Sequence, residues 1–167
     1  MTNILDQIEY NQWANDCLIR TTANMNSDYF TKTIASSFTS IQKTWIHIIW
    51  AEELWYERWN GCSFFTEYST VDYPAVDNIW NKIKELSASQ ITFLKNLNSG
   101  DADKKISYKN FQGEEWAYSL RQMVQHMVFH PIYHRGQIVT MLRQLGVKPP
   151  GLDYLVYVDE ISGKKGK

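Results

Sequence analysis

This chain contains few cysteines and prolines. It also lacks long apolar runs and an excess of charge of either sign. Only two cysteines and four prolines occur in 167 residues. Cys17 and Cys62 are isolated, with neither a C-x-x-C pair nor the spacing of a disulfide framework. Proteins that rely on disulfides show the opposite pattern, so we expect a reducing compartment, the cytoplasm.

The balanced charge and the absence of long apolar segments each exclude a class of partner. The chain carries 17 basic and 18 acidic side chains, a net charge of -1 and a pI of about 6.4. It therefore lacks the basic surface that nucleic acids require. No apolar run approaches the roughly 20 residues of a membrane span, and no basic region followed by an apolar stretch opens the chain. We expect a small-molecule substrate, no nucleic acid and no membrane.

Aromatic residues are the unusual component of this chain, at 14%. Apolar residues recur at helical spacing in four segments. The predicted helices span about residues 3–24, 40–59, 76–97 and 119–145. Ser119 followed by Gln122 forms a capping-box pattern at the start of the last helix, and Gly146 ends it. We predict one domain, 1–167, that is all-α and forms a four-helix bundle.

Two segments between the predicted helices differ from this pattern. Apolar residues alternate from Ile106 to Tyr118 around a Gln112–Gly113 turn, which predicts a small β-hairpin inserted before the last helix. The aromatic, turn-rich stretch from Cys62 to Pro74 predicts a loop of about a dozen residues, a length that often carries function.

Three of the four histidines lie four residues apart, at His126, His130 and His134. Successive rings at this spacing project from one stripe of a helix, where two of them can bind one metal ion. His47 lies within an apolar run of the second predicted helix and needs a polar partner if it is buried. A metal ion shared between the two helices would supply that partner.

A single histidine on a helix is more often satisfied by an ordinary neighbour than by a metal, but the combined pattern favours a metal site. His126 and His134 lie about 12 Å apart along a straight helix, so one ion cannot take both. The spacing leaves two pairs open, His126 with His130 or His130 with His134. Glu52 and Glu53 point away from the stripe of His47 and are not expected to be ligands.

Three neutral imidazoles leave a divalent ion with its full charge and an open position, as in catalytic rather than structural zinc sites. A water or a thiolate can occupy that position. No H-E-x-x-H helix, di-iron E-x-x-H pair or glycine-rich phosphate loop occurs in the chain. We expect a substrate pocket walled by aromatic side chains, with Trp45, Trp50, Trp55 and Tyr133 as candidates.

The segment F-H-P-I-Y-H-R-G-Q-I at 129–138, followed by L-R-Q-L-G at 142–146 and P-G-L-D-Y at 150–154, resembles the DinB/YfiT-like family of metalloenzymes. The W-A-N at 13–15 and His47 followed by A-E-E-L-W at 51–55 extend this resemblance over nearly the whole chain. The Y-H-R-G-Q segment at 133–137 is the most specific part of this resemblance.

The resemblance implies an up-down-down-up bundle, often dimeric, that holds a divalent metal through His47, His130 and His134. His126 becomes a neighbour of this set. Similar proteins include thiol-dependent transferases and isomerases that use low-molecular-weight thiols. The leading hypothesis is a homodimeric enzyme whose ion, zinc or nickel first and iron next, activates a thiolate or water against a small electrophile. The alternatives are a non-catalytic protein with a structural ion and a haem-binding module.

Overall fold

A computed structural model of the chain describes residues 3–63 and 67–163. Two antiparallel strands, β1 (Lys105–Lys109) and β2 (Glu115–Ser119), form a hairpin. The α-helices in the described ranges are α1 (Ile4–Ala23), α2 (Asp28–Thr31), α3 (Ile41–Trp59), α4 (Val76–Lys95), α5 (Leu120–Gln144) and α6 (Tyr154–Ile161), and a short 3-10 helix spans Asp101–Asp103. The predicted helices correspond to α1, α3, α4 and α5 within two residues at each end. The helical fold and its hairpin insert are confirmed.

Two short α-helices escaped prediction. α2 has only four residues, too few for a periodic pattern. α6 begins after Asp153, beyond the Pro149–Pro150 break, and Tyr157 is its one buried residue within the described chain. The predicted loop at 62–74 has neither helix nor strand at 62–63 and 67–74, and residues 64–66 lie outside the described ranges.

The directions of the four long helices follow from which of their ends share a core. One cluster joins the end of α1 to the starts of α3 and α4 and the end of α5, with Leu18, Ile41, Ile79 and Ile138 as examples. The other cluster joins the opposite ends, with Ile8, Trp59, Leu94 and Met123 as examples. α1 and α5 therefore run one way and α3 and α4 the other, which confirms the up-down-down-up arrangement.

Local hydrogen bonds set the starts of the two helices that carry the histidines. The Ser40 hydroxyl accepts from the backbone N–H of Lys43 at 3.1 Å. The Ser119 hydroxyl accepts from the backbone of Gln122, whose side chain accepts from the backbone of Ser119, as the capping-box pattern predicts. α5 continues through Pro131 despite the lost donor. α3 and α5 pack side by side in the bundle.

The hairpin lies against the end of α3 and the start of α5. Its register pairs Ile106 with Tyr118 and Tyr108 with Trp116, and Gly113 takes a φ of +80° in the turn. Tyr108 is 7% exposed and belongs to the second core cluster. In the described ranges, every helix is too short or too polar to cross a bilayer.

Candidate metal centre

His47 on α3 and His130 and His134 on α5 meet at the interface of the two helices. The Nε2 atom of His130 lies 3.1 Å from Nε2 of His47 and 3.1 Å from Nε2 of His134. One ligating nitrogen from each ring lies within 4.8 Å of the others. The structure thus brings together the three histidines that the family resemblance selects, in a cluster that could hold a metal ion.

Aromatic rings fix the orientation of His47. Phe38 stacks on one side with ring centres 4.5 Å apart, and Trp50 stacks at 5.8 Å, one turn further along α3. Phe38 also packs edge-on against His134 at 5.5 Å. These contacts limit the rotation of the His47 ring, so its nitrogen atoms are held in place before any ligand arrives.

Gln137 selects the tautomer of His134. The Nδ1 atom of His134 lies 2.9 Å from Oε1 of Gln137, while the Gln137 amide donates to the Ser37 hydroxyl at 3.2 Å. A carbonyl oxygen only accepts, so Nδ1 carries the proton and Nε2 presents its lone pair to the cluster. This is the partner that metal-binding histidines usually have. The i+3 spacing of Gln137 from His134 is the sequence signal that could have revealed it.

The surroundings of His47 and His130 favour neutral imidazoles. Burial, and secondly the charge of His134, lowers the pKa of His47 to about 4. Burial, followed by the charges of the three other histidines, lowers the pKa of His130 to about 3. Both rings are therefore uncharged at neutral pH, which is the form that binds a metal ion.

The donor set fits a divalent metal. Nε2 of His130 faces two other ring nitrogens, and a single proton on it can satisfy only one of them. In a tetrahedral site with zinc–nitrogen bonds of about 2.0–2.1 Å, ligand nitrogens lie roughly 3.3 Å apart, close to the 3.1 Å contacts here. A haem iron keeps only two axial positions, so three converging imidazoles do not suit the haem-binding alternative.

The cluster contains no carboxylate or thiolate among the described residues. Glu52 instead accepts from the side-chain amides of Asn11 and Asn15, at 2.8 and 2.9 Å. Glu53 forms an ion pair with Lys82 at 2.7 Å. Both glutamates are thus engaged elsewhere, in agreement with the prediction that they point away from His47.

His126 lies outside the cluster. Its ring centre is 6.3 Å from that of His130, and it packs against Trp55 at 4.4 Å. Burial, and secondly the charge of Arg58, lowers the pKa of His126. The spacing left two pairs open, and the pair that lies beside His47 is His130 with His134.

Two cavities flank the cluster. One of about 320 Å³ is lined by Phe38, His47 and Trp50 and so borders the histidine cluster at His47. The other, of about 480 Å³, lies one helical turn away and is lined by His126 and Trp55. Volumes of this size suit small organic ligands.

The four aromatic residues predicted to wall the substrate pocket lie in different surroundings. Trp50 and Trp55 line cavities, as predicted. Trp45 does not, because it is fully buried in the core and donates its indole N–H to Thr22 at 3.3 Å. Tyr133 is 67% exposed on the outside of α5. Periodicity placed these rings on helices but could not show which helix face each one meets.

Comparison with known proteins places the chain in a family. The model of the DinB family matches residues 1–164. Protein DinB of Bacillus subtilis (strain 168) is 26% identical over 157 residues, which cover 90% of each chain.

Solved structures show the same fold. A DinB-like protein from Bacillus cereus ATCC 10987 matches with a TM-score of 0.69 and 16% identity, over 89% of this chain and 94% of the other. A DinB-like protein from Bacillus subtilis matches with a TM-score of 0.64 and 14% identity, over 91% and 99% respectively.

Proposed function

The chain belongs to the DinB family, and we propose that it is a cytoplasmic metal-dependent enzyme that activates a thiolate or a water for attack on a small electrophile. His47, His130 and His134 are the proposed ligands of one divalent ion, with zinc or nickel first and iron next. The observation that carries this proposal is the convergence of their nitrogen atoms within 4.8 Å.

The residues of the chain hold and orient the site. Gln137 keeps the proton of His134 on Nδ1, and Phe38 and Trp50 hold the plane of His47. A divalent ion bound by three neutral imidazoles supplies uncompensated positive charge, which lowers the pKa of a bound thiol or water. That charge favours a thiolate over a neutral ligand, so a low-molecular-weight thiol is the proposed co-substrate and S-transfer the proposed reaction.

The main alternative is an ion that only fastens α3 to α5. Structural sites are usually closed by a fourth protein ligand. Within the described chain the cluster offers three ligands, and a cavity of about 320 Å³ borders His47. Space for an exchangeable ligand favours catalysis over a purely structural ion.

Metal analysis of untagged protein tests the ligands. We expect one divalent ion per chain, lost in alanine variants of His47, His130 or His134 and retained in the matched variant His126→Ala. Retention of the ion in His134→Ala together with its loss in His126→Ala would reverse the assignment, because one ion cannot take both.

An activity assay tests the chemistry. Metal-loaded protein is combined with a panel of low-molecular-weight thiols and electrophiles, with chelated protein as the control. We expect at least one pairing to be accelerated only by the loaded protein. The double variant Cys17→Ser/Cys62→Ser should keep this activity, since the proposed nucleophile is the added thiol. If the loaded protein accelerates no pairing and added thiols leave the spectrum of cobalt-substituted protein unchanged, the proposed role of the thiol is wrong.

We also propose that two chains form a symmetric homodimer. Large apolar side chains remain exposed on α5 and α6, among them Phe129, Ile132, Tyr133, Leu155 and Ile161. Ile132 of α5 and Tyr154 of α6 border the same surface depression, so the two helices lie side by side at that point. Apolar faces of this kind are typical of contacts between subunits.

A further inference from the structure

The larger cavity, of about 480 Å³, lies between the hairpin and the helices α3 and α5, and none of the three proposed metal ligands lines it. Its aromatic side chains come from two sides, and they are Trp55 of α3 and Tyr108, Trp116 and Tyr118 of the hairpin. None of the described residues that line it is a lysine, arginine, aspartate or glutamate. An aromatic wall without charged side chains suits a ligand that is itself flat and largely apolar.

The rings of the hairpin form a surface on which such a ligand can stack. Trp116 and Tyr118 lie two residues apart on β2, so their side chains project from the same face of the strand. Their rings are nearly parallel, with an angle of 14° and ring centres 6.1 Å apart. Trp116 is 44% exposed although it lines a cavity. A bound aromatic molecule would cover this ring and gain stacking energy beyond the burial of apolar area.

His126 supplies a hydrogen-bonding group on the α5 side of the cavity. Its ring packs against Trp55 with ring centres 4.4 Å apart, which holds the imidazole in the wall. Within the described part of the chain, its ring nitrogens and the two tyrosine hydroxyls of the wall form no hydrogen bond. Asn110 and Gln122, the other polar residues of the wall, are engaged in the hairpin turn and in the cap of α5. His126 is therefore available to bind a polar group of a ligand.

A positive charge lies close behind the wall. Arg58 is 6% exposed and is not part of the lining, but its guanidinium carbon lies 4.6 Å from the ring centre of Trp55 and 4.2 Å from that of Tyr108. None of the ion pairs in the described ranges involves Arg58, so no neighbouring carboxylate there neutralises its charge. A cationic ligand in the cavity would meet repulsion from Arg58 and no compensating anion in the described lining.

We propose that this cavity binds a planar aromatic molecule that carries no positive charge. The ring system of the ligand packs against Trp55 and Trp116, and its polar group forms a hydrogen bond with His126. The ring centre of His126 is 6.3 Å from that of His130, so the bound polar group lies one helical turn from the metal cluster. As the site of the electrophile the cavity rests on the proposed function, whereas the binding of an aromatic ligand does not.

Calorimetric titration with three probes tests the site. 2-Naphthamide is planar and uncharged, decahydro-2-naphthamide carries the same amide on a saturated skeleton, and 2-naphthylmethylammonium has a positive charge. We expect 2-naphthamide to bind at least about fivefold more tightly than the saturated amide, because only the planar rings can stack on the wall. The ammonium should bind at least about tenfold more weakly than 2-naphthamide. Equal affinities of the two amides, an ammonium that binds as well as 2-naphthamide, or no binding of 2-naphthamide would each overturn the proposal.

Two substitutions assign the binding to this cavity. Trp116→Ala should weaken the binding of 2-naphthamide at least about fivefold, whereas Tyr154→Ala, at a ring of α6 with the same 44% exposure, should leave it unchanged. His126→Phe keeps a ring against Trp55 but removes the hydrogen bond, so we expect a loss of about threefold to tenfold. Full affinity in Trp116→Ala would show that the probe binds elsewhere. Full affinity in His126→Phe would show that His126 does not recognise the polar group, and either result contradicts the proposal.

Chelated protein separates this site from the proposed metal-dependent function. The ligand contacts the wall and not the ion, so 2-naphthamide should bind equally well after the metal is removed. His126→Phe should likewise keep the ion while it loses affinity for the probe. Loss of 2-naphthamide binding on chelation would show that the probe binds to the ion, and it would overturn the site. Binding of 2-naphthamide by a chain that holds no metal supports the site and contradicts only the proposed function.

Discussion

Glu52 of α3 and Arg135 of α5 are opposite charges in the bundle core that are linked by two asparagine side chains. Asn11 and Asn15 of α1 each donate to Oε1 of Glu52, at 2.8 and 2.9 Å, and each accepts from Nη1 of Arg135, at 2.6 and 2.7 Å. All four side chains are at most 2% exposed. Three helices are thereby joined beside His134, the neighbour of Arg135.

The asparagine bridge should be essential for stability. Asn15→Leu leaves one hydrogen bond missing at each buried charge, so we expect a loss of about 3 kcal/mol in the free energy of unfolding. Urea denaturation measures this change. The matched control is Asn81→Leu, at an exposed position of α4, which should change stability by less than about 0.5 kcal/mol. Equal effects of the two substitutions would show that the bridge does not stabilise the core.

The helical fold was predictable because its signals are local. Apolar residues at a period of 3.6, a capping box at Ser119 and a breaker after Leu145 depend only on neighbours in the sequence. The choice of His134 over His126 needed the family resemblance, because spacing alone allows either to pair with His130. Their separation along α5 nevertheless showed that one had to lie outside the cluster.

Contacts between distant segments could not be predicted. Arg58 gave no sequence signal, because its setting requires the hairpin to place Tyr108 over the end of α3. The asparagine bridge joins positions 11 and 135, which no helical period relates. α6 was missed for another reason, since a short helix with one described buried residue has no periodic apolar face.

The Gln137–His134 hydrogen bond should increase metal affinity. Gln137→Leu removes the acceptor that keeps the proton on Nδ1, and the loss of such a partner weakens metal binding by about 10- to 100-fold. Competition with a chromophoric chelator measures the affinity. Gln137→Glu retains an acceptor and should keep binding close to that of the native chain, and Ser37→Ala should have a smaller effect than Gln137→Leu. Equal weakening by the Leu and Glu variants would contradict this role.

Metal-free protein should lose stability in mild acid. The pKa values of His47 and His130 are lowered to about 4 and about 3 in the folded chain, whereas an unfolded histidine titrates near 6.5. Between these values the unfolded chain binds more protons. This contribution to stability is therefore complete above about pH 6.5 and is lost as the pH falls toward 3.

Urea denaturation of chelated protein at pH 7 and pH 5 checks this pH dependence. The double variant His47→Gln/His130→Gln has neither titrating ring, so its stability should fall less between the two pH values. An identical fall in the native chain and the variant would assign the acid sensitivity to other groups.

The exposed apolar residues of α6 should mediate dimer formation. Leu155 and Ile161 are 72% and 65% exposed, and a charge placed on this face must be desolvated when two copies meet. We expect the native chain to have twice the 19.6 kDa mass of one chain in light scattering at micromolar concentration. Leu155→Asp/Ile161→Asp should shift it to the mass of one chain. Val71→Asp, at an 84% exposed loop position, is the matched control and should remain dimeric. A native mass near 20 kDa would contradict the dimer and leave this face to a different partner.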